Sequence, residues 1–304
     1  MEKLEHLLPV QNQCGETPIW VPEEKALYWV DTGDRSVYRY TPSDGWFQRY
    51  PVAVGSQALA RKSADEWVLL STSGVSLWER KSNRCRFLGN PVADSPRLEF
   101  CDCAVDPRGR LLAGTYNADK FDAPDGAYYR LEADGSFHEI ERGLVFTNGI
   151  AFSPDGKTMY GAEMFARRLL AWDYNPEAGT VSRRRVLAEL EPDAGYPDGV
   201  IVDAEGYLWV GHWAGWRVSR YTPAGKVDRV IRLPVPTAPC MAFGGRNLDE
   251  LYITTAYKGL SDEQRQAAPW SGDLFRVRLD VRGRIEPRFA APPRLRRGRR
   301  GKAG

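Results

Sequence analysis

The sequence lacks the features that mark membrane, disulfide-bonded and zinc-finger proteins. No apolar run approaches the roughly 20 residues that a helix needs to cross a bilayer. The five cysteines are an odd number without the paired spacing of zinc sites, so we expect reduced thiols. The first residues carry acids and lack a basic-then-apolar signal pattern, which predicts a cytoplasmic protein with no membrane partner.

Basic surface, helix signals and clustered histidines are also scarce. The body of the chain shows no basic stripe, so we expect no nucleic-acid partner. Residues 292–304 hold six basic residues and no acid, a composition that predicts a disordered, solvated tail, with a nucleic-acid or anionic-surface role as the alternative. Only residues 261–268, a Ser cap followed by helix formers, predict a short helix. The three histidines are unclustered, and His212, which repeat phase places near the pocket, is expected to be structural.

What the sequence does contain is a repeat. Ten Trp and fourteen Tyr favour strands. One phrase, with an apolar strand, a turn, an apolar-aromatic strand and a hairpin into a third strand, recurs six times at about 40–50 residues, the period of propeller blades. The second strands occupy residues 27–31, 67–71, 111–115, 159–163, 208–212 and 251–255.

The repeat predicts an all-β fold, a six-bladed β-propeller with four-stranded antiparallel blades around a central metal site. We expect a single domain over residues 1–291. Residues 1–12 are expected to supply a strand that closes the ring with the last blade, so that no sheet edge stays open. The predicted blades are 16–52, 53–94, 95–140, 141–190, 191–234 and 235–289.

Equivalent positions of a circular array form a ring around its axis. Counting back about 10–11 residues from each second strand reaches the start of each first strand. The ring positions are Glu16, Ser56/Gln57, Cys101/Asp102, Asn148, Asp198 and Pro239/Cys240. Oxygen donors far apart in sequence are thereby brought together, which predicts a metal or catalytic site.

Glu16, Asn148 and Asp198 are the candidate ligands of one divalent metal ion. Two carboxylates and an amide in one axial pocket repel unless a cation joins them. Oxygen ligands favour Ca²⁺, Mg²⁺ or Mn²⁺, and Zn²⁺ also accepts carboxylates. Asp102, the fourth ring acid, would bind substrate hydroxyls or the metal through water. The alternatives are a strand-end acid at Glu16 or Asp102 and a generic Asn-Gly or Pro-Asp-Gly turn at the other two positions.

Three phrases, GETPIW, TNGIAFSPDGKTMY and PDGVIVDAEGYLWVGHWAGWRVSRYTPAGK, resemble the gluconolactonase/regucalcin family of sugar-lactone hydrolases, over residues 8–289. The resemblance implies a six-bladed propeller that holds one divalent cation through Glu16, Asn148 and Asp198, with Asp198 also catalytic in proton transfer. The implied activity is metal-dependent hydrolysis of a sugar lactone, a pentono- or hexono-lactone, to the aldonic acid. The implied partner is a small-molecule sugar lactone, and we expect a monomer or a weak homo-oligomer.

The substrate-binding stretch departs from the family pattern. The family commonly has Arg-x-Asn-Asp, whereas this chain has Glu99 and Cys101 before the matching Asp102. Arg97 is the nearest substitute for the missing Arg, and Asp119 lies near the position of a family acid that contacts sugar hydroxyls. Because Cys is a poor hydrogen-bonding replacement for Asn, we expect a smaller or differently hydroxylated lactone, a pentono-lactone, to be preferred over glucono-lactone.

Two other functions fit the same fold. One is a non-enzymatic calcium-binding or regulatory propeller of the regucalcin type. The other is an interaction scaffold, or a propeller of the strictosidine-synthase type. A pure scaffold has no need for metal-compatible donors at ring-equivalent positions, which counts against it.

Overall fold

A computed structural model describes residues 3–132 and 135–290 of the chain, and these residues form a nearly all-β protein. The predicted basic tail, residues 292–304, lies outside the described residues. The strands, in chain order, are β1 (Leu4–Leu8), β2 (Gly15–Val21), β3 (Ala26–Asp31), β4 (Ser36–Thr41), β5 (Trp46–Pro51), β6 (Ala58–Arg61), β7 (Glu66–Ser71), β8 (Gly74–Glu79), β9 (Arg84–Gly89), β10 (Leu98–Val105), β11 (Leu111–Asn117), β12 (Gly126–Leu131), β13 (Phe137–Leu144), β14 (Thr147–Phe152), β15 (Thr158–Glu163), β16 (Arg168–Asn175), β17 (Thr180–Glu189), β18 (Tyr196–Val202), β19 (Leu208–Trp213), β20 (Arg217–Tyr221), β21 (Val227–Arg232), β22 (Met241–Gly244), β23 (Glu250–Ile253) and β24 (Leu274–Arg278).

These strands make six antiparallel sheets of four strands, which confirms the predicted six-bladed propeller. Blades one to five take consecutive strands, β2–β5, β6–β9, β10–β13, β14–β17 and β18–β21. The sixth sheet has the order β22-β23-β24-β1, so its outermost strand comes from the other end of the chain. Leu4 of β1 lies opposite Val277 of β24. The predicted ring closure by the N-terminal residues is therefore confirmed.

Large aromatic side chains fill the spaces between blades. Tyr28 of the first blade and Trp67 of the second are fully buried, with ring centroids 4.6 Å apart. By contrast, β5 mixes exposed and partly buried residues because only one face of an outer strand meets a neighbour. The apolar-aromatic second strands of the sequence repeat are the buried second strands of the blades, which explains why the repeat is visible in the sequence.

In the part of the chain that the structure describes, helical structure is confined to two short segments outside the blades. Helix α1 (Asp262–Ala267) begins after Ser261, whose hydroxyl accepts from the Gln264 amide while the Gln264 side chain accepts from the Ser261 amide. The helix predicted for residues 261–268 is thus confirmed. A single 3-10 turn, Pro192–Ala194, precedes β18. No helix among the described residues is long and apolar enough to span a membrane.

Residues 279–290 contain no strand and cross the propeller end that lies away from the ring positions; we refer to them as the strap. Its backbone bonds to several blades: the Phe289 amide donates to the Arg61 carbonyl at 2.7 Å and the Ala290 amide to the Gly109 carbonyl at 2.8 Å. The Arg282 carbonyl accepts from the Ala204 amide at 2.8 Å. The strap thereby ties the second, third and fifth blades to the end of the sixth.

Candidate metal centre and active site

Four inner strands begin at the same end of the propeller, and each contains a register shift where a candidate residue stands. The shifts lie between Glu16 and Ile19, Phe100 and Cys103, Asn148 and Ala151, and Pro197 and Val200. The inner strands of the second and sixth blades, β6 and β22, show no such shift. A β-bulge re-aims a side chain and is common beside functional sites. The bulges therefore set apart the four blades that carry the predicted acids and amide.

Asn148 and Asp198 contact each other directly across two adjacent blades. The Asn148 amide nitrogen donates to Asp198 Oδ1 at 2.6 Å and lies 3.7 Å from the sulfur of Met164. Gly149, the next residue, has φ +49°, and a Cβ there would lie 2.4 Å from the Asp198 carbonyl oxygen. Glycine is needed at this point because the two inner strands approach too closely for any side chain.

Asp198 is 2% exposed, and burial is the main cause that raises its pKa well above the usual range. The charges of Glu16 and Asp102 raise that pKa further. Carboxylates that raise one another's pKa in this way lie close together in surroundings of low dielectric constant. Asp198 thus lies in hydrogen-bond contact with Asn148 and within electrostatic range of Glu16 and Asp102.

Glu16 is held by two thiols that sequence reasoning did not connect with it. Cys240 Sγ donates to Glu16 Oε2 at 2.8 Å, and Cys14 Sγ donates to Oε1 at 3.2 Å. Glu16 is partly buried, and desolvation raises its pKa from 4.5 to about 7, while the two thiol hydrogen bonds oppose that rise. Cys240 is a ring position, but Cys14 lies outside the ring positions, and no spacing rule pairs it with residue 240.

Asp102 is bound by backbone groups. Its Oδ1 accepts a hydrogen bond from the Cys103 amide at 2.7 Å. Hydrogen bonds from the backbone amides of Gly149 and Ile150, in the next blade, also lower its pKa. Burial raises its pKa to about 6 despite these bonds. Asp102 lines a cavity of about 290 Å³ whose other lining residues come mainly from all six inner strands and from strap residues 284–287.

The donor set fits a hard divalent cation. No ion pair joins Glu16, Asp102 or Asp198 to a Lys or Arg within residues 3–132 and 135–290, so their negative charges lack a partner there. No group of three or more His, Cys, Asp and Glu among the described residues could hold a metal ion. A rotation of the Asn148 amide by about 180° would exchange Nδ2 for Oδ1 beside Asp198 and would add an amide oxygen to the carboxylate oxygens there. Carboxylate and amide oxygens are the ligands that Ca²⁺ and Mg²⁺ prefer.

The four remaining predicted substrate residues are less closely grouped. Glu99 accepts from the Tyr116 hydroxyl at 2.7 Å, and the Cys101 thiol contacts the Thr147 carbonyl of the next blade. Arg97 and Asp119 are exposed. In the described chain no hydrogen bond or ion pair joins either of these two side chains to the ring residues. Glu99 and Cys101 thus belong to the third blade and lie in the same strand as Asp102, whereas Arg97 and Asp119 are exposed and make no such contact.

His212 is buried, as expected for a structural residue. Its Nδ1 lies 2.8 Å from the Ala194 carbonyl, and burial lowers its pKa to about 3. Its Nε2 is buried without a hydrogen-bond partner among the described residues. A histidine that stays neutral in this way is suited to packing between strands.

An aromatic surface near the ring residues was not anticipated from the sequence. It consists of Tyr116, Phe121, Phe146, Phe165 and Tyr196, and we call it the aromatic wall. Its members come from loops and strand ends of three blades, so the repeat does not align them. The sequence signal is their position. Each lies within a few residues of a predicted site residue along the chain, or on a strand or loop next to one in the same blade.

Comparison with known proteins gives concordant matches over nearly the whole chain. Residues 14–257 match the family described as the SMP-30/gluconolactonase/LRE-like region. The chain is 32% identical to regucalcin from Xenopus laevis over 296 residues, covering 95% of this chain and 98% of the relative. It is 33% identical to pentonolactonase XacC from Haloferax volcanii over 295 residues, covering 94% and 98%. The crystal structure of a calcium-binding regucalcin from Agrobacterium tumefaciens superimposes with a TM-score of 0.89 at 25% identity, covering 95% of this chain and 97% of that one.

Proposed function

This chain belongs to the SMP-30/gluconolactonase/LRE-like family, and we propose that it is a metal-dependent lactonase that opens a sugar lactone to the aldonic acid. The observation that carries the proposal is the convergence of Glu16, Asp198 and Asn148 at bulged starts of inner strands, with Asn148 2.6 Å from Asp198. The relative named pentonolactonase supports lactone chemistry. The neighbour described as a calcium-binding protein supports a cation site.

Glu16, Asn148 and Asp198 would hold the cation through oxygen atoms. When bound, a divalent ion supplies Lewis-acid polarisation of the lactone carbonyl and lowers the pKa of water. The thiols of Cys14 and Cys240 keep the Glu16 carboxylate aligned from both of its oxygens, at 3.2 and 2.8 Å. The ion would be Ca²⁺, Mg²⁺, Mn²⁺ or Zn²⁺, all of which accept carboxylates.

Asp198 is the proposed catalytic residue. It takes a proton from the attacking water as the water oxygen bonds to the lactone carbonyl carbon. The bond between that carbon and the ring oxygen then breaks, and Asp198 returns the proton to the departing ring oxygen. The products are a carboxylate and a hydroxyl on one open chain, with a proton released from the new acid. The raised pKa of Asp198 suits the second step, in which it gives a proton to the ring oxygen. The charge of a bound cation would favour the ionised form that the first step needs.

The proposed substrate is an aldono-lactone of a pentose or hexose. Asp102 and Asp119 would bind its hydroxyls, Arg97 its carbonyl or ring oxygens, and Glu99 and Cys101 would shape the side of the third blade. Because Glu99 is engaged by Tyr116 at 2.7 Å and Cys101 is a weak donor, polar contacts to the sugar are fewer on this side. A pentono-lactone is therefore proposed as the better substrate.

A second candidate is a calcium-binding regulatory propeller without enzymatic activity, which the regucalcin relative and the calcium-binding neighbour favour. It predicts cation binding with no turnover. The lactonase predicts both, and both must depend on the same three side chains.

The test uses protein stripped of metal by chelation and dialysis. Ca²⁺, Mg²⁺, Mn²⁺ and Zn²⁺ are added back singly, with binding followed by calorimetry and ring opening of pentono- and hexono-lactones followed by acid release. The proposal expects metal-dependent turnover in wild type and its loss in Glu16→Gln, with Glu189→Gln, an exposed change on β17, as control. Metal binding without turnover on any lactone would favour the regulatory candidate. Turnover that is unaffected by metal removal would overturn the metal-dependent mechanism.

A further inference from the structure

The aromatic wall is a continuous apolar surface. Tyr116 stacks on Phe146 with centroids 4.1 Å apart, Phe146 meets Phe165 at 5.2 Å, and Phe165 meets Tyr196 at 5.3 Å. Phe121 lies against the first three at 5.9, 5.4 and 5.4 Å. Phe121 is nevertheless 46% exposed, so this part of the surface is open. Aromatic rings held at such distances form a stable platform without a ligand.

The wall stands beside the proposed catalytic residues. Phe146 is two residues before Asn148, and Tyr196 is two residues before Asp198. Phe165 follows Met164, whose sulfur lies 3.7 Å from the Asn148 amide. The loops that carry Phe121 and Phe165 leave the propeller at the end where the inner strands begin. The aromatic wall therefore lies at the same end of the propeller as Asn148 and Asp198.

Polar groups of the wall are few and partly engaged. The Tyr116 hydroxyl donates to Glu99 at 2.7 Å. Arg167, at the far end, stacks over Tyr196 at 4.4 Å, and its Nε lacks a hydrogen-bond partner among the described residues. The centre of the wall, Phe121, Phe146 and Phe165, offers only hydrocarbon to a ligand. Its two ends can receive the oxygens of a sugar, whereas its centre cannot.

We infer that the aromatic wall selects lactones whose exocyclic end is apolar, that is, deoxy-sugar lactones with a terminal methyl in place of hydroxymethyl. This inference rests on the proposed lactonase function and specifies its substrate class. A methyl placed on Phe121 and Phe165 gains contact with the rings, about fourfold for each buried methylene. A hydroxyl in the same place loses its water without finding a partner. The two effects add, so the deoxy compound should be favoured at least about fivefold.

The test compares kcat/KM for matched lactones that differ only at the terminal carbon, one pair being galactono-lactone and its 6-deoxy analogue. The variants are Phe121→Ala and Phe165→Ala. Phe87→Ala is the matched control, because Phe87 is 62% exposed on β9, an outer strand of the second blade. Since Phe121 is half exposed, its replacement leaves the fold intact even where Phe165→Ala does not. Affinities of the corresponding anhydro-alditols, which cannot be hydrolysed, give a second readout by calorimetry.

The expected wild-type ratio is at least about fivefold in favour of the deoxy lactone, falling toward one in Phe121→Ala and staying unchanged in Phe87→Ala. A wild-type ratio of one or below would overturn the inference while leaving the lactonase function intact. An equal loss on both lactones in Phe121→Ala would also overturn it, because the wall would then stack on the sugar ring without contacting its end. Failure to open any lactone, with metal present, would instead count against the proposed function.

Discussion

Metal-free protein should lose stability as the pH rises from about 4.5 to about 7, and Glu16 is one cause of that loss. Burial raises the pKa of Glu16 from 4.5 to about 7. Between these two values the folded protein keeps a proton that the unfolded chain has released, so the free energy of unfolding falls as the pH rises. The rise in pKa corresponds to about 3 kcal/mol, fully lost above about pH 7. A cation bound by Glu16 favours its charged form and should reverse the trend.

The assay is denaturant unfolding of chelated and dialysed protein between about pH 4.5 and 8, with and without saturating Ca²⁺. Glu16→Gln should remove about 3 kcal/mol of the fall. It should leave the part due to Asp102, whose pKa is raised to about 6, and reduce the part due to Asp198, whose pKa the charge of Glu16 raises. Glu189→Gln, at an exposed position, should behave as wild type. The reasoning is refuted if chelated Glu16→Gln shows the same pH dependence as chelated wild type.

Three further predictions concern single residues of the site. Asp198→Asn should lower turnover at least about a hundredfold in folded, metal-replete protein, measured by acid release; full activity would show that the base is another residue. Gly149→Ala should lower the free energy of unfolding by at least about 2 kcal/mol, because its Cβ would meet the Asp198 carbonyl at 2.4 Å. Gly45→Ala, with φ +70° but open space around it, is the control for backbone strain alone, and equal losses in the two variants would argue against a clash. Cys101→Asn should shift the ratio of kcat/KM for pentono- and hexono-lactones toward the hexono-lactone, and an unchanged ratio would show that residue 101 does not set specificity.

The fold and the grouping of ring residues could be predicted because both follow from the repeat. Each blade begins with the same phrase, so Asn148 and Asp198 occupy equivalent positions in adjacent blades, and circular symmetry brings these positions near each other. The closing strand follows from the need to pair the last sheet edge. These predictions used the period of the sequence and required no knowledge of individual side-chain directions.

The features that could not be predicted are those that differ from one blade to the next. The bulges after Glu16 and Asn148 depend on strand register, which the repeat does not specify. The paired thiols on Glu16 join Cys240 to Cys14, from opposite ends of the chain. The aromatic wall takes loop residues from three blades at positions that are not equivalent. Function-specific features therefore arise where the blades differ.

The closure of the ring also has a consequence for how the protein is made. Blades one to five can each complete a sheet from neighbouring residues as they are synthesised, but the sixth must wait until β24 exists to pair with β1, as in Leu4 opposite Val277. Until then the first blade exposes the face that buries Trp29, and the fifth exposes the face that buries Trp209. A nascent chain with five blades and an open ring thus exposes apolar surface and is prone to aggregate. Chains that end before residue 274 should therefore aggregate. Almost the entire chain must be synthesised before the sixth blade can form and bury these apolar faces.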